Sequence, residues 1–353
     1  MNIALFDAAK YWSGGAYRVY LCCKGFKEKK NNVFLFCLPT SRLNILLKNE
    51  VKIFNLHPVF DLDFFAFIKV LYILIKYKIE VLDIHSPKFY WIATLAAKIL
   101  RKKVFITRNV EYRKKGLKKI INRFLYNNLT GVIAVSNKIK NALIEDFKIK
   151  ESKVEVIHDG VILQKTKPND IRIKYNIKED EIVLSIIARI EKNKGQDLAI
   201  EILNELVKEK YKSKLFIIGK KEDKKFYDIL VSKIENLNLI NNVIFTEFVE
   251  NVSDYINSSD VILCCSYYEG LPRSIIESLI SLKPVVSTAA VDIEELKDFK
   301  DLIIIINKRE PKKFAEAIIS AINNKKQKTY NEKLFEKFSY INMVNKYLEF
   351  YIR

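Results

Sequence analysis

Short apolar runs rich in β-branched residues recur along this chain, and a stretch with the period of an amphipathic helix follows each one. A first series comprises Ile3–Phe6, Val33–Leu38, Val51–Phe54, Val81–Ile84, Val104–Thr107, Val132–Val135 and Val154–Ile157. A second comprises Ile182–Ala188, Lys214–Ile218, Val243–Phe245, Val261–Cys265, Pro284–Ser287 and Leu302–Ile306. Runs that stay apolar on successive positions predict parallel strands buried on both faces, and their alternation with helices predicts an α/β fold. Between the two series, Asp159–Glu181 carries Lys-Pro and Asn-Asp pairs and no strong apolar period, which predicts a linker. Two doubly wound domains follow, 1–162 and 163–335, with an aromatic helical segment at 336–353. Two such domains put their strand ends across a cleft, the usual place for a ligand.

The composition supports large cores: 49% of the 353 residues are hydrophobic. The start, MNIALFDAAKYW, has no basic leader and reads as a first strand, so no signal peptide is expected. No apolar run reaches the ~18 residues that span a bilayer. Phe64–Ile75 comes closest and is broken by Lys69. It reads as the inner helix of a layered domain, with an interfacial helix as the competing reading. The five cysteines lie in apolar stretches without metal-ligand spacing, and the three histidines are scattered. Both point to a cytoplasmic protein with reduced thiols and no metal site.

The charge is uneven. Residues 1–160 hold 29 Lys+Arg against 13 Asp+Glu, net +16, whereas residues 161–353 hold 32 against 29, net +3. The excess peaks at Arg101–Lys103 and Arg113–Lys119. A compositional bias would act on both halves. The asymmetry therefore predicts an anionic acceptor or an acidic membrane surface as partner of the first domain. No helix-turn-helix, zinc-finger or RNA-binding signature supports nucleic acid.

The candidate chemistry is densest at Tyr268–Thr288. Glu269 and Glu277 bracket a Gly270–Leu271–Pro272 turn and the start of a helix, between two predicted strands. Pro272 suits a first helical turn. A loop at a strand's carboxyl end, opening a helix, offers free N–H groups to an anion. Two acids beside an anion site fit a ligand that also carries hydroxyls, such as a sugar or ribose. Ser274-Ile-Ile-Glu277 equally fits a capping box, so Glu277 has two readings. Earlier, Ser13-Gly14-Gly15-Ala16 follows the first strand and would let backbone approach a ligand. His85 ends the fourth strand. No G-x-G-x-x-G is present, so nicotinamide dinucleotide binding is unsupported.

EGLPRSIIESLISLKPVVST resembles the Glu-x7-Glu signature of retaining nucleotide-sugar glycosyltransferases of family four, which have the GT-B fold of two Rossmann-like domains. The resemblance implies that Glu269 contacts the donor sugar, that Glu277 holds the ribose, and that the Gly270–Leu271–Pro272 backbone faces sugar and phosphates. ARIEKNKGQDLAI resembles the family's Arg…Lys-Gly element, so Arg189 and Lys194 would grip the donor diphosphate. Two fixed cations there can stabilise the departing phosphate without a metal. Gly14 and Gly15 would face donor phosphate, and His85, Arg108 and Asn109 would lie on the acceptor side. Asn109 stands where many relatives carry a His, and Asp159-Gly160 where they carry Asn-Gly. Ala289–Asp292 replaces their glycine pair before Glu294. The resembled fold also brings the last helix, around Ile341–Ile352, back onto the first domain.

These features predict a metal-independent, retaining, hexosyltransferase-like enzyme of cell-surface glycan synthesis, such as lipopolysaccharide. It would be cytoplasmic and peripheral on the inner membrane face, with a nucleotide-sugar donor, an anionic glycan or lipid-linked acceptor, and no cofactor. The competing classes are an epimerase or hydrolase on the same scaffold, and a glycan-binding protein with a dead donor site. Transfer only in the presence of an acceptor separates them.

Overall fold

The computed structural model describes residues 1–10, 12–60, 62–109, 117–162, 169–291, 294–324 and 332–353. The chain divides into two compact units, 1–160 with 336–353, and 161–335. In the first unit seven parallel strands form one sheet among the described residues. They are β1 (Asn2–Asp7), β2 (Asn32–Cys37), β3 (Lys52–Asn55), β4 (Val81–Ile84), β5 (Lys103–Arg108), β6 (Gly131–Ala134) and β7 (Val154–Val156). Their order is β3-β2-β1-β4-β5-β6-β7. The second unit holds β8 (Ile182–Ile187), β9 (Ser213–Ile218), β10 (Val243–Glu247), β11 (Val261–Cys264), β12 (Val285–Thr288) and β13 (Ile303–Ile306), in the order β10-β9-β8-β11-β12-β13. Each strand matches an apolar run to within about two residues at either end. The central strands are buried throughout because helices cover both faces of each sheet.

The strand order reverses once in each sheet, between β1 and β4 and between β8 and β11. At such a point the loops after the two strands leave in opposite directions and open a crevice at their carboxyl ends.

Two sequence expectations need correction. The helix Phe64–Lys76 forms, capped by Asp63, but it is not an inner helix. Only one side of it is buried, through Ala66, Val70, Ile73 and Leu74, and its other apolar side is exposed. Lys69 and Lys76 mark the exposed side, but the length of an apolar run does not say whether one side of its helix or both are buried. The expected linker also contains a helix, Asn169–Lys174, too short to show an apolar period. Arg172 anchors it, donating to the Ser258 carbonyl at 3.1 Å and pairing with Asp260 at 2.8 Å.

The last helix, Tyr340–Ile352, belongs to the first unit and packs on the helix Gly14–Glu28. Its approach is close. A Cβ on Gly25 would meet Val344 at 2.3 Å, and one on Gly131 would meet Phe350 at 2.6 Å. Beneath it lies a buried polar network. The Asp83 carboxyl accepts from Tyr351 Oη at 2.6 Å and Thr107 Oγ1 at 2.9 Å, and lies 3.0 Å from His85 Nε2. The fully buried Arg18 pairs with Asp159 and donates to the Ile157 carbonyl and to Tyr347 Oη. Lys103, part of the basic excess, donates to the carbonyls of Tyr351 and Ile352 and so caps this helix.

Tyr351→Phe would leave the buried Asp83 carboxyl one donor short. It should cost about 1–3 kcal/mol, read as a lower denaturation midpoint. An unchanged midpoint would show that the network does not fasten the helix.

Candidate active site

In the second unit the switch point gathers most of the sequence-predicted residues. Arg189 follows β8, and a short turn, Lys192–Lys194, leads to Gly195 and the helix Gln196–Lys208. Glu269 follows β11. The two loops are stitched together: Tyr267 N–H donates to the Asn193 carbonyl at 2.9 Å, and Asn193 Nδ2 to the Tyr268 carbonyl at 3.2 Å. Gly195 has φ +69°, and a Cβ there would meet the Cys265 carbonyl oxygen at 2.0 Å. Only glycine tolerates both the left-handed backbone and that approach.

This stitching brings Lys194 and Glu269 into an ion pair, with side chains 16% and 17% exposed. Ser266 Oγ donates to the same Glu269 oxygen at 2.9 Å. One cation and one carboxylate are thus held together at the strand ends, half-shielded from water. Arg189 is not part of that pair. It bonds Glu191 at 3.1 Å and is more open, while the buried Gln196 donates to its carbonyl.

The helix after the Gly270–Leu271–Pro272 turn runs Arg273–Ile280, with Pro272 as its N-cap and no side-chain cap bond. Pro272 therefore sits one position before the expected first turn. Ser274 lies inside the helix, so the capping-box reading of Glu277 fails. Glu277 instead pairs with Arg273 one turn back, at 3.1 Å. No side chain caps this helix N-terminus.

Arg309, after β13, escaped the sequence reading. It donates to the Cys265 carbonyl at 2.6 Å and lies 3.7 Å from the centre of the Tyr267 ring. It braces the β11 loop from behind. The only signal was a lone Arg in a Lys-rich chain, without distinctive spacing. A groove of about 760 Å³ lies between the helices Gln196–Lys208 and Lys224–Asn236, and none of its lining residues belongs to the strand-end set.

The first unit repeats the arrangement. Ser13 caps the helix that begins at Gly14, and a Cβ on Gly15 would lie 2.7 Å from Asn109 Nδ2. Gly15 thus admits the Asn109 side chain against the helix start. Arg108 donates to Tyr90 Oη at 3.3 Å. His85, at the end of β4, is buried and held by Asp83. Its neighbour is Asp7, at the end of β1, which the sequence reading missed because it looks like an ordinary strand terminus. Asp7 is only 5% exposed. Burial pushes its pKa up, partly offset by the His85 charge and the Ala9 N–H.

With this geometry in place, the comparisons decide the family. Residues 168–336 match the family described as glycosyl transferases group 1, and residues 12–165 match glycosyltransferase family 4. The chain belongs to the family-four glycosyltransferases. A capsular polysaccharide biosynthesis glycosyltransferase, CapM of Staphylococcus aureus, is 24% identical over 295 residues, 79% of this chain and 75% of that one. A Campylobacter jejuni N-acetylgalactosaminyltransferase acting on a diphospho-undecaprenol-linked sugar is 25% identical, covering 78% of each chain. Among solved structures, Anabaena Alr3699/HepE in complex with UDP superposes with a TM-score of 0.86 at 18% identity, covering 99% of both chains. The fold of this glycosyltransferase is therefore GT-B.

The raised pKa of Asp7 makes a signed prediction. A carboxyl held above its unfolded value favours folding while protonated, and that contribution is lost as pH rises through the raised value. Asp7→Asn should therefore stabilise the protein at pH ~8, with the gain vanishing below the ordinary carboxylate pKa of about 4. Thermal melts across that range check it, and a pH-independent difference would contradict it.

Proposed function

We propose that this glycosyltransferase is retaining and metal-independent, moving a sugar from a nucleotide diphosphate donor on the second unit to a cell-surface glycan or lipid-linked acceptor handled by the first. The observation that carries this reading is the Lys194–Glu269 pair at the β8/β11 switch point. Lys194 would meet the diphosphate while Glu269 accepts sugar hydroxyls, so one pair orders both parts of the donor around the bond that breaks. Arg189 would supply a second cation to the phosphates. The Arg273–Ile280 N-terminus with the Gly270–Leu271–Pro272 backbone would receive phosphate or sugar oxygens, and Glu277 the ribose. His85, Arg108, Asn109 and Asp7 would face the acceptor.

In the reaction, the bond between the sugar's anomeric carbon and the diphosphate oxygen breaks, and the acceptor oxygen bonds that carbon. The acceptor proton passes to the departing phosphate, whose negative charge Arg189 and Lys194 stabilise. Retention rests on the family likeness. The printed names of CapM and of the Campylobacter enzyme support the cell-surface glycan, and the UDP complex of HepE supports a nucleotide donor.

Arg189→Ala or Lys194→Ala should lower kcat/KM by ~10²-fold or more. Near wild-type turnover in both would sink the diphosphate assignment. Transfer assays with and without acceptor separate this reading from an epimerase or hydrolase.

The two carboxylates separate by calorimetry. Glu277→Ala should weaken binding of the free nucleoside diphosphate by about tenfold or more, because a charge-assisted hydrogen bond is lost. Glu269→Ala should spare that binding and damage transfer. The opposite pattern would exchange their roles.

A further inference from the structure

The helix Phe64–Lys76 presents a second apolar stripe to solvent, made by Phe64, Phe65, Ile68, Tyr72 and Ile75. The positions recur at helical spacing opposite the buried side. The turn before it adds Phe60 and Leu62, 62% and 58% exposed, and Phe65 reaches 84%. A neighbouring helix, Tyr90–Ile99, packs on the same core and adds exposed Leu95 and Ile99. Scattered apolar residues on a surface are ordinary, but five large ones in a row along one side of a single helix point to an interaction site.

The charge around it selects the partner. Phe64–Lys76 contains no acid beyond its capping Asp63 and carries exposed Lys69, which donates to the Asn55 carbonyl at 3.0 Å, and exposed Lys76; exposed Lys98 and Arg101 lie at the end of the neighbouring helix. A second copy of this chain would bring those cations face to face, in a half that already carries net +16. An anionic bilayer offers the opposite charge at its headgroups and an apolar layer just beneath. Lys76 Nζ lies 3.0 Å from Tyr72 Oη, so a cation and a phenol share the border of the stripe, where both suit a headgroup layer. No helix among the described residues is long and apolar enough to cross a membrane.

We infer that the first unit docks on an anionic membrane by laying the helix Phe64–Lys76 in the interface, its exposed apolar stripe among the acyl chains and its lysines among the headgroups. The helix Phe64–Lys76 alone carries the inference: of the basic stretches, Lys119 is paired with Asp146 at 2.9 Å and Lys103 caps the last helix, and 113–116 lie outside the described residues. The inference deepens the proposed function and rests on it only for a membrane-borne acceptor.

The test is sedimentation of the full chain with two kinds of vesicle: phosphatidylcholine alone, and phosphatidylcholine containing about a third phosphatidylglycerol. Binding should require the anionic lipid and weaken with salt. Phe65→Ser with Ile68→Ser should reduce it by about tenfold or more, leaving the melting temperature and nucleoside diphosphate binding unchanged. Independently, Phe65→Trp should shift its emission to the blue on anionic vesicles only. Equal binding to both vesicles, or none, overturns the inference. So does a wild-type dimer in analytical ultracentrifugation that the double serine variant splits, because the stripe would then be a self-interface. Nucleotide binding is read separately, so a failure of the donor assignment shows in that measurement and a failure of docking in the vesicles.

Discussion

A parallel strand cannot return to its neighbour through a tight turn. Each connection must cross a face of the sheet, usually as a helix. Both units obey this constraint, and the rest of the structure follows from it. It buries the central strands on both faces, which makes them mostly apolar, and it sends strand carboxyl ends into loops that open helices. Where the strand order reverses, two such loops diverge. β1 and β4 carry Gly14, Gly15, Asp7 and His85 at their ends, and β8 and β11 carry Arg189, Lys194 and Glu269. The topology thus collects the chemistry-bearing residues of each unit from loops distant in sequence.

The loops after β8 and β11 are held to each other by backbone and side-chain bonds together. Tyr267 N–H donates to the Asn193 carbonyl and the Asn193 side-chain amide to the Tyr268 carbonyl, Gly195 lies on the Cys265 carbonyl, and the Arg309 guanidinium donates to that same carbonyl. On the proposed function, loops tied together in this way would hold the Lys194–Glu269 pair in place before the donor arrives, which is how preorganised charge acts in transfer chemistry.

The first unit is fastened differently. Buried polar groups are costly unless each finds a partner. Asp83 and Arg18 find theirs on the last helix, through Tyr351 and Tyr347. A segment at the end of the chain is thereby required for satisfying residues near its beginning. Asp7 departs from this economy, since burial raises its pKa and it stands beside His85. A carboxyl that destabilises the ionised fold at a strand end is a common mark of a functional position.

The sequence by itself determined the elements. Runs such as Val81–Ile84 and Val261–Cys265 were legible to within a residue, because burial on both faces leaves a local pattern. The Glu269–Glu277 and Arg189–Lys194 spacings were legible as well, since each falls within one strand–loop–helix unit. The tertiary structure decided what sequence neighbours cannot encode. Glu277 pairs with Arg273 instead of capping, because the helix begins one residue before Ser274. Lys194 meets Glu269 from 75 residues away only because β8 and β11 are adjacent. Asp7 gains its chemistry from β4, and Arg309 from β11. In the helix Phe64–Lys76 the sequence placed Lys69 and Lys76 on one side, but only packing decided that the apolar residues beside them, Phe65, Ile68, Tyr72 and Ile75, stay in solvent, because burial depends on what the fold lays against each side.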